Sequence, residues 1–380
     1  MIGLYLHIPY CTVRCSYCDF YLLPGRKREI PVYVEALCGE IASAGGEFPG
    51  RAADTVHLGG GTPSLLPPSL LAGVLESVRS SFALAPGAEI ALEANPEDLD
   101  RSRLLGYAAA GVNRLSIGVQ SLDDGLLKLM RRPHDARKAI VAVEEARRSP
   151  VRSLGVDLIL GLPRQERGPA LEGIASLLDR GVDHVSLYLL EVHRRTLLGK
   201  DVACGRTAPM DDDEAARLYE EAADLLEGRG FEHYEISNFA RPGHRSRHNV
   251  KYWTDLDYMG FGPSAHSHAG ERRWANASDL RAYLARRGTG VARVEDDRSR
   301  ASRAVEALVS GLRLAEGVDL GALRARYGAD FIPPDDACID VLAGAGLLER
   351  DSVRLRLTRR GRLVSNEVFE RLLPAVPQLT

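Results

Sequence analysis

Three of the six cysteines lie close together, at Cys11, Cys15 and Cys18, in the sequence Cys-Thr-Val-Arg-Cys-Ser-Tyr-Cys. In a reducing compartment, thiols at such short spacing indicate metal or redox chemistry. A cluster of four irons normally takes four thiolates, and no fourth cysteine lies nearby in the sequence. Three protein ligands would leave one iron open to a cofactor or a substrate. Zinc is the alternative, with His7 as the nearest imidazole, although His7 precedes the loop inside a β-rich run.

The other cysteines, Cys38, Cys204 and Cys338, are widely separated along the chain. Cys38 lies in a helical pattern and Cys338 in an apolar stretch, so we interpret all three as packed or incidental residues. Six cysteines in 380 residues are too few for a scaffold held together by disulfides.

Further residues that could bind a ligand follow β-rich runs. One run is followed by Gly-Gly-Gly-Thr-Pro at 59–63, and glycines let a ligand approach the backbone closely. A simple strand–helix turn is the alternative, but it needs fewer than three glycines. Glu93 ends the next run, Gln120 ends an apolar run, Arg132 follows later and Asp157 interrupts another apolar run. A buried charge inside a strand must be paired or functional, because burying it unpaired is expensive.

The elements that must position these residues alternate along the first half of the chain. Strands are predicted over 2–8, 55–58, 89–93, 114–117, 154–160 and 184–190, and helices over 32–41, 70–80, 101–110, 136–147 and 170–179. This alternation indicates parallel strands joined by crossover helices. Since six strands are too few for a closed eight-stranded barrel, the predicted α/β fold is an open, partial (β/α)6 TIM-like barrel.

In such folds, chemistry collects at the C-terminal ends of the strands. CTVRCSYC follows the first predicted strand, GGGTPS the second and GVQS the fourth, while EANPED lies at the third. We expect this core to span residues 1–240 and an irregular connecting segment to span 241–300, with residues 191–270 less regular than the strands and helices before them. A small accessory domain of winged-helix type, α+β in class, is expected over 301–380.

Composition excludes several classes of protein. With 45% hydrophobic and 27% charged residues, the chain is typical of a globular protein. Its net charge of −3 provides no basic field for nucleic acid. The N-terminus lacks the pattern of a signal peptide, and no apolar run is long enough to span a membrane. A cytoplasmic protein is therefore expected.

The cysteine spacing, with the aromatic Tyr17 before the last cysteine, resembles the motif of the radical S-adenosylmethionine (SAM) superfamily. The resemblance implies that Cys11, Cys15 and Cys18 bind one [4Fe–4S] cluster, whose fourth iron binds the SAM amine and carboxylate. It also implies an electron donor, because reduction of the cluster cleaves SAM to a deoxyadenosyl radical. The glycine run at 59–63 resembles the loop of this family that receives the methionyl group.

Further positions match the branch of the family that contains anaerobic coproporphyrinogen oxidase. The resemblance implies that the SAM contacts are Tyr5, Tyr17, Gly60, Gly61, Thr62, Glu93, Gln120, Arg132 and Asp157. The carboxylate of Glu93 would suit the ribose hydroxyls or the cationic end of SAM.

Within this branch the chain resembles the radical SAM heme chaperones of the HemW family, through HIPYC, YCDF, GGGTPS, GVQS, LILGLP and YEISNFA. Phe20 stands where the oxidase has a further cysteine. The sequence His248-Asn-Val-Lys-Tyr252-Trp253 resembles the HNxxYW heme motif, in which an imidazole could ligate iron and two aromatic rings could cover the porphyrin. His244, His266 and His268 are alternative ligands from the nearby sequence.

The resemblance implies a heme chaperone that passes heme to recipient apoproteins. The alternative is an enzyme, an oxygen-independent coproporphyrinogen III oxidase that decarboxylates its substrate with SAM. Two positions depart from the family: Tyr10 replaces a usual Phe, and His193 stands where many relatives have Glu. The second departure lies on the expected substrate side.

Overall fold

The computed structural model describes residues 1–48, 50–296, 299–328 and 336–373. The strands are β1 (Ile2–Ile8), β2 (Tyr10–Cys11), β3 (Leu23–Pro24), β4 (Ala52–Gly60), β5 (Ala83–Ala94), β6 (Arg114–Gln120), β7 (Ser153–Leu160), β8 (His184–Leu189), β9 (Glu232–Glu235), β10 (Asn238–Ala240), β11 (Tyr258–Phe261), β12 (His266–Ala269), β13 (Arg272–Asn276), β14 (Arg293–Glu295), β15 (Val318–Asp319), β16 (Leu348–Arg350) and β17 (Arg354–Leu357).

The helices are α1 (Ile30–Glu47), α2 (Pro68–Ser81), α3 (Arg101–Ala110), α4 (Asp124–Leu129), α5 (Ala136–Arg147), α6 (Arg167–Leu178), α7 (Leu197–Ala203), α8 (Asp212–Gly228), α9 (Arg247–Trp253), α10 (Leu280–Ala285), α11 (Arg300–Leu312), α12 (Leu320–Tyr327), α13 (Asp336–Gly344), α14 (Arg359–Leu363) and α15 (Ser365–Leu372). Short 3-10 helices lie at Lys27–Glu29, Pro63–Leu65 and Pro96–Asp98.

Six parallel strands form the centre of the largest sheet, in the order β1-β4-β5-β6-β7-β8. Each overlaps one of the predicted strands, and helices α1, α2, α3, α5 and α6 lie between them in the chain as predicted. The prediction of a partial (β/α)6 barrel is therefore confirmed. Helices cover parallel sheets of this kind, so the strands are apolar along most of their length. In β1, the partly exposed residue is Tyr5 and the others are buried.

Aspartate side chains fix where several of the helices begin. Asp100, Asp123 and Asp135 precede α3, α4 and α5, and each accepts a hydrogen bond from a backbone N–H in the first turn. This contact satisfies a donor that has no partner inside the helix. The bounds of α3 and α5 consequently coincide with those predicted from the sequence.

The sheet continues beyond β1 with strands that the sequence pattern did not predict. β11 lies parallel to β1, and β12, β13 and β14 follow in antiparallel pairs. Strands β11 and β12 lie within residues 191–270, which the sequence indicates to be less regular than the strands and helices before them. The buried carboxylate of Glu40 connects α1 to this part of the sheet. It accepts hydrogen bonds from Gly262 N (2.7 Å), the Tyr283 hydroxyl (2.8 Å) and Asn276 Nδ2 (2.6 Å).

The chain divides into two compact units. The first comprises Met1–Glu232, Phe239–His248 and Asp257–Glu295, and contains the six parallel strands. The second comprises His233–Asn238, Asn249–Leu256 and the described residues of Asp296–Thr380. Over the described ranges, no helix combines the length and the apolar character that crossing a membrane requires.

The C-terminal part of the second unit has the element order of a winged helix. Helix α11, strand β15, helices α12 and α13, and strands β16 and β17 follow one another, and the strands form a small antiparallel sheet in the order β15-β17-β16. Leu308, Leu342, Leu355 and Val368 belong to its buried core. The predicted winged-helix-like α+β domain is confirmed.

Candidate cluster and cofactor site

The three cysteines lie on a loop whose ends are held together at the C-terminal end of β1. Strand β2, which contains Cys11, pairs with β3, and Gly25 N donates a hydrogen bond of 3.0 Å to the Cys11 carbonyl. The Arg14 guanidinium donates to the carbonyl oxygens of Cys18 (3.5 Å), Phe20 (3.5 Å) and Leu22 (3.1 Å). These hydrogen bonds to backbone carbonyls hold residues 11–25 as a closed turn. We call these residues the cluster loop.

The three thiols lie near enough to influence one another. Burial raises the pKa of Cys11 to about 11, and the thiols of Cys18 and Cys15 add to that effect, while the Thr62 hydroxyl, 3.1 Å from Cys11 Sγ, opposes it. Burial also raises the pKa of Cys18. Arg132 Nη1 donates to Cys15 Sγ over 3.5 Å. A hydroxyl beside Cys11 and a guanidinium beside Cys15 are the donors that suit thiolates bound to an iron–sulfur cluster.

The glycines at 59–61 are required by close packing around the end of β4. Gly60 has φ +108°, and a Cβ there would lie 2.5 Å from His7 Nδ1. A Cβ on Gly61 would lie 2.8 Å from the Ile8 carbonyl oxygen, and one on Gly59 would lie 2.9 Å from Glu93 Oε1. The glycines thereby let the end of β4 approach both β1 and Glu93. They place Thr62 beside Cys11.

The carboxylate of Glu93, at the end of β5, is held on both oxygens. Oε1 lies 3.0 Å from His57 Nε2, and Oε2 accepts a hydrogen bond of 3.2 Å from Gly60 N. The Glu93 side chain is 40% exposed, whereas that of His57 is 13% exposed. The two hydrogen bonds thus hold the Glu93 carboxylate in place, while part of the side chain remains exposed to a ligand. The sequence analysis did not identify His57, although His57 lies on the same face of β4 as Thr55 and Gly59.

Arg132 connects the cluster loop to the ends of two strands. Its Nη2 atom donates to Asn95 Oδ1 (2.7 Å) and to the Gly118 carbonyl (2.8 Å), while Nη1 reaches Cys15. Asn95 Nδ2 in turn donates to Thr62 Oγ1 over 3.3 Å. Sequence reasoning also missed Asn95, although it follows Glu93 by two residues at the same strand end.

Gln120 ends β6 in a backbone conformation that side chains rarely adopt, with φ +65°. A Cβ on Gly118 would lie 2.9 Å from Gln120 Nε2, so the glycine leaves room for this amide beside Arg132. Such a left-handed residue costs about 1–2 kcal/mol, and conformations of this kind cluster at functional sites.

Asp157 lies inside β7, as the sequence indicated, and is surrounded by hydrogen-bond donors. Ser116 Oγ lies 3.0 Å from Asp157 Oδ1, and Ser186 provides a second hydrogen bond. Desolvation raises the pKa of Asp157 to about 6; the Ser186 bond lowers it, and the charge of Glu93 raises it. Burial therefore raises the pKa of this carboxyl to about 6 in spite of the two hydroxyl hydrogen bonds.

The two tyrosines proposed as SAM contacts have different surroundings. The Tyr5 hydroxyl lies 3.0 Å from His7 Nδ1, and its ring stacks on His57 with a centroid distance of 6.0 Å. Tyr17 packs against a small buried cluster that includes Met130 and Leu162. Both tyrosines thus border the strand ends that carry the other predicted residues.

His248 is buried, and its ring lies beside the rings of Tyr5 and His57. Its Nδ1 atom is 2.8 Å from Thr55 Oγ1, and its ring stacks on His57 with a centroid distance of 5.1 Å. Glu89 accepts a hydrogen bond from His248 N at the start of α9. The residue predicted to ligate heme therefore contacts the residue that orients Glu93.

Tyr252 and Trp253 belong to the second unit, unlike His248. Both are partly exposed; their rings meet edge to face at 6.3 Å, and the Arg313 guanidinium lies 4.3 Å from the Trp253 ring centroid. Among the alternative ligands, His244 contacts Ser153 and His268 contacts the Gly270 carbonyl, whereas His266 is exposed.

His193, which departs from the family pattern, lies half-exposed between Asp19 of the cluster loop (3.9 Å) and Glu191 (3.5 Å). It is therefore positioned beside the cluster loop, where an imidazole can approach the carboxylate next to Cys18.

Comparison with known proteins places this arrangement among relatives. The sequence model of the radical SAM superfamily matches residues 5–174, and that of the HemN C-terminal domain matches residues 299–364. The chain is 37% identical to the heme chaperone HemW of Mycobacterium tuberculosis, over 98% of this chain and 94% of the relative. It is 32% identical to the heme chaperone HemW of Bacillus subtilis, over 97% of this chain and 98% of the relative.

A solved structure shares the fold of nearly the whole chain. It is coproporphyrinogen III oxidase (HemN) from Escherichia coli, described as a radical SAM enzyme, with a TM-score of 0.84 and 23% identity. The match covers 98% of this chain and 89% of the oxidase. At that identity the similarity establishes the fold.

Proposed function

The chain belongs to the HemW family of radical SAM proteins, and on that premise we propose that it is a heme chaperone that binds a four-iron cluster, SAM and heme. The observation that carries the proposal is the similarity to heme chaperones along almost the full length of the chain. The cluster loop and the polar strand ends around it support the cofactor part. Transfer of heme to recipient apoproteins is the activity that we infer from the family.

The residues of the site suit these cofactors in distinct ways. Cys11, Cys15 and Cys18 would hold the cluster and leave one iron for the SAM amine and carboxylate. When bound, the cluster and SAM together supply one-electron chemistry that no side chain provides. Arg132 places a positive charge against Cys15 and orients Asn95. Glu93, fixed on both oxygens, is positioned to bind hydroxyl or cationic groups of SAM.

The heme part of the proposal rests on His248, Tyr252 and Trp253. Because His248 is fully buried beside His57, its imidazole must become accessible before it can ligate heme iron, although the Nδ1 contact with Thr55 could remain while Nε2 binds the metal. Heme binding at His248 would therefore be accompanied by a rearrangement beside Glu93. We expect SAM affinity and heme affinity to be coupled in consequence.

Iron content tests the cluster. The anaerobically reconstituted protein should hold about four irons. Replacing Cys11, Cys15 and Cys18 together with Ala should abolish the iron and the visible absorbance. Replacing Cys38, Cys204 and Cys338 together with Ala is the matched control and should leave both unchanged. A full cluster in the first triple variant would contradict the assignment.

A second experiment separates the chaperone from the oxidase. Reconstituted protein is incubated anaerobically with coproporphyrinogen III, SAM and a reductant, and the porphyrin products are analysed beside a heme titration. We expect a defined shift of the Soret band, weakened by His248→Ala, and no decarboxylated product. Steady decarboxylation, with heme binding indifferent to His248→Ala, would favour the oxidase.

A further inference from the structure

His134 is fully buried and is not among the residues assigned to the cluster, SAM or heme. It lies between α4 and α5, two residues after Arg132 in the chain. Its Nε2 atom is 3.2 Å from the Val119 carbonyl oxygen, and its Nδ1 atom is 3.2 Å from Glu97 Oε2. A carbonyl and a carboxylate both accept hydrogen bonds, so the ring satisfies both when each nitrogen carries a proton. A buried imidazole held at both nitrogens can fix two parts of the site relative to each other.

The first contact of His134 lies at the strained turn that presents Gln120. Ser121 N donates a hydrogen bond of 2.8 Å to the Val119 carbonyl, so the three residues form a tight turn around Gln120, whose φ is +65°. Three-residue turns with a positive φ at the centre are rare and strained. Such a conformation persists where the surrounding contacts hold it. His134 supplies one of these contacts, because its Nε2 atom approaches the same carbonyl oxygen.

The second contact is to Glu97, in the short 3-10 helix after β5. Burial raises the pKa of Glu97, but the hydrogen bond with His134 and the charge of Arg132 outweigh it and lower the pKa below its ordinary value. Glu97 is therefore an anion at neutral pH. Its charge attracts the Arg132 guanidinium, which donates to Cys15 Sγ and to the Asn95 side chain. By orienting Glu97, His134 thus bears on the position of the guanidinium at the cluster loop.

We propose that His134 is a positioning residue for SAM binding. One ring nitrogen holds the turn that presents Gln120, and the other holds the carboxylate of Glu97 near Arg132. The inference rests on the proposed function, because Gln120 and Arg132 are among the residues that would contact SAM. Since its side chain has no exposed surface, His134 acts through these neighbours and not by touching the cofactor.

SAM affinity and the EPR spectrum of the reduced cluster test the proposal in the full-length reconstituted protein. His134→Phe keeps a flat ring but removes both donors, whereas His134→Gln keeps an amide donor for one of the two acceptors. We expect the dissociation constant of SAM, normalised to bound iron, to rise about tenfold or more in His134→Phe, as for loss of an outer-shell partner. The rise should be smaller in His134→Gln. Without SAM, the EPR spectrum of His134→Phe should also change, because Arg132 donates to Cys15.

Two further variants separate positioning from a loss of stability. Glu97→Gln removes the charge near Arg132 but leaves the contact with Val119, so it should reproduce the spectral change with a smaller loss of SAM affinity. His233→Gln is the matched control. His233 is a buried histidine of the second unit whose Nε2 atom is 3.2 Å from the Ile236 carbonyl oxygen. Its replacement should leave SAM affinity and the spectrum unchanged.

SAM affinity and a spectrum equal to those of the wild-type protein in both His134→Phe and Glu97→Gln would overturn the inference. A lower melting temperature of His134→Phe with unchanged SAM affinity would overturn it as well, since the role would then be structural. If His134→Phe holds no iron, the same comparison is made with His134→Gln. An equal loss of SAM affinity in His233→Gln would also count against the inference. Failure of the iron-loaded wild-type protein to bind SAM would instead overturn the proposed function.

Discussion

The imidazole of His57 connects the two groups of side chains on which the proposed chemistry depends. It holds Glu93 through Nε2 and stacks on the ring of His248. His57→Phe keeps a flat ring but removes the hydrogen bond, so Glu93 should lose its orientation. We expect the dissociation constant of SAM to rise about tenfold, as for loss of a hydrogen bond to a charged group.

Equilibrium dialysis with SAM, normalised to bound iron, measures this effect. His57→Gln retains a donor and is the matched control, expected to recover much of the affinity. Iron content should be equal in all three proteins. Unchanged SAM affinity in His57→Phe would show that Glu93 needs no support from His57.

The raised pKa of Asp157 predicts a pH dependence of SAM binding. With a pKa of about 6, set by burial and by the neighbouring Glu93 against Ser186, Ser116 and Arg114, the carboxylate is charged above pH 6 and neutral below it. If the charged form binds the cofactor, SAM affinity should fall as the pH drops from 7 to 5, by up to about tenfold per unit. Asp157→Asn should flatten the profile.

The same shift has a consequence for stability with the opposite sign. The folded state holds the Asp157 proton more tightly than the unfolded state, so stability is lost as the pH rises from the unfolded pKa of 3.8 through the folded pKa of about 6. Asp157→Asn should therefore raise the melting temperature most at pH 8, less at pH 5 and little below the unfolded pKa. A lower melting temperature at pH 8 would contradict the burial of this charge.

The individual site residues were predictable where their chemistry is visible along the chain. The cysteine triplet, Glu93 and Asp157 stand out because polar residues at strand ends or inside apolar runs are unusual. Asn95 and His57 were missed, because their importance arises from neighbours on adjacent strands. The enclosure of His248 was equally invisible, since it depends on Thr55, which is distant in sequence.

At the scale of elements, helix α1 and the turn after α10 approach each other so closely that a side chain cannot fit between them. Gly288 has φ +72°, and a Cβ there would overlap the carbonyl oxygen of Ala36. Gly290 has a similar φ of +55° but open space around it. Gly288→Ala should therefore destabilise by about 3 kcal/mol or more, and Gly290→Ala by about 1–2 kcal/mol.

Chemical denaturation measures the free energy of unfolding of both variants. Because both alanines carry a similar backbone penalty, the difference between the two free energies reports the packing contact with Ala36. Glu40 lies one helical turn after Ala36 on α1, and its carboxylate should lose part of its hydrogen-bond network only in Gly288→Ala. Equal free energies of unfolding for the two variants would show that α1 and the turn can separate without cost.

Prediction of elements succeeded for long, regular patterns. The six parallel strands are apolar runs separated by helical patterns, so their order follows from the sequence, and the aspartate caps of α3 and α5 give the bounds of those two helices. Strands β11 to β14 are short, and β11 is identified by its pairing with β1. Such pairing depends on tertiary contacts that a local pattern does not contain.

Across the whole molecule, buried histidines in both units predict acid sensitivity. Burial, with the charge of Arg114, lowers the pKa of His184 in the first unit well below 6.5. Burial, with the charge of Arg362, lowers the pKa of His233 in the second unit to about 3. The unfolded chain binds these protons near pH 6.5 and the folded chain does not, so stability falls as the pH drops below 6.5.

Melting temperatures measured from pH 5 to pH 8 test this expectation one unit at a time. His184→Gln and His233→Gln should each reduce the loss of stability between pH 6.5 and pH 5, whatever their effect at pH 8. An acid slope identical to that of the wild-type protein in both variants would assign the sensitivity to other groups.

The contacts that Arg14 makes across the cluster loop bear on the entropy cost of binding a ligand there. The guanidinium donates to three carbonyl oxygens, and the β2–β3 pair holds the ends of the loop together. Because these contacts fix the backbone of the loop, little chain entropy remains to be lost when its side chains bind a ligand.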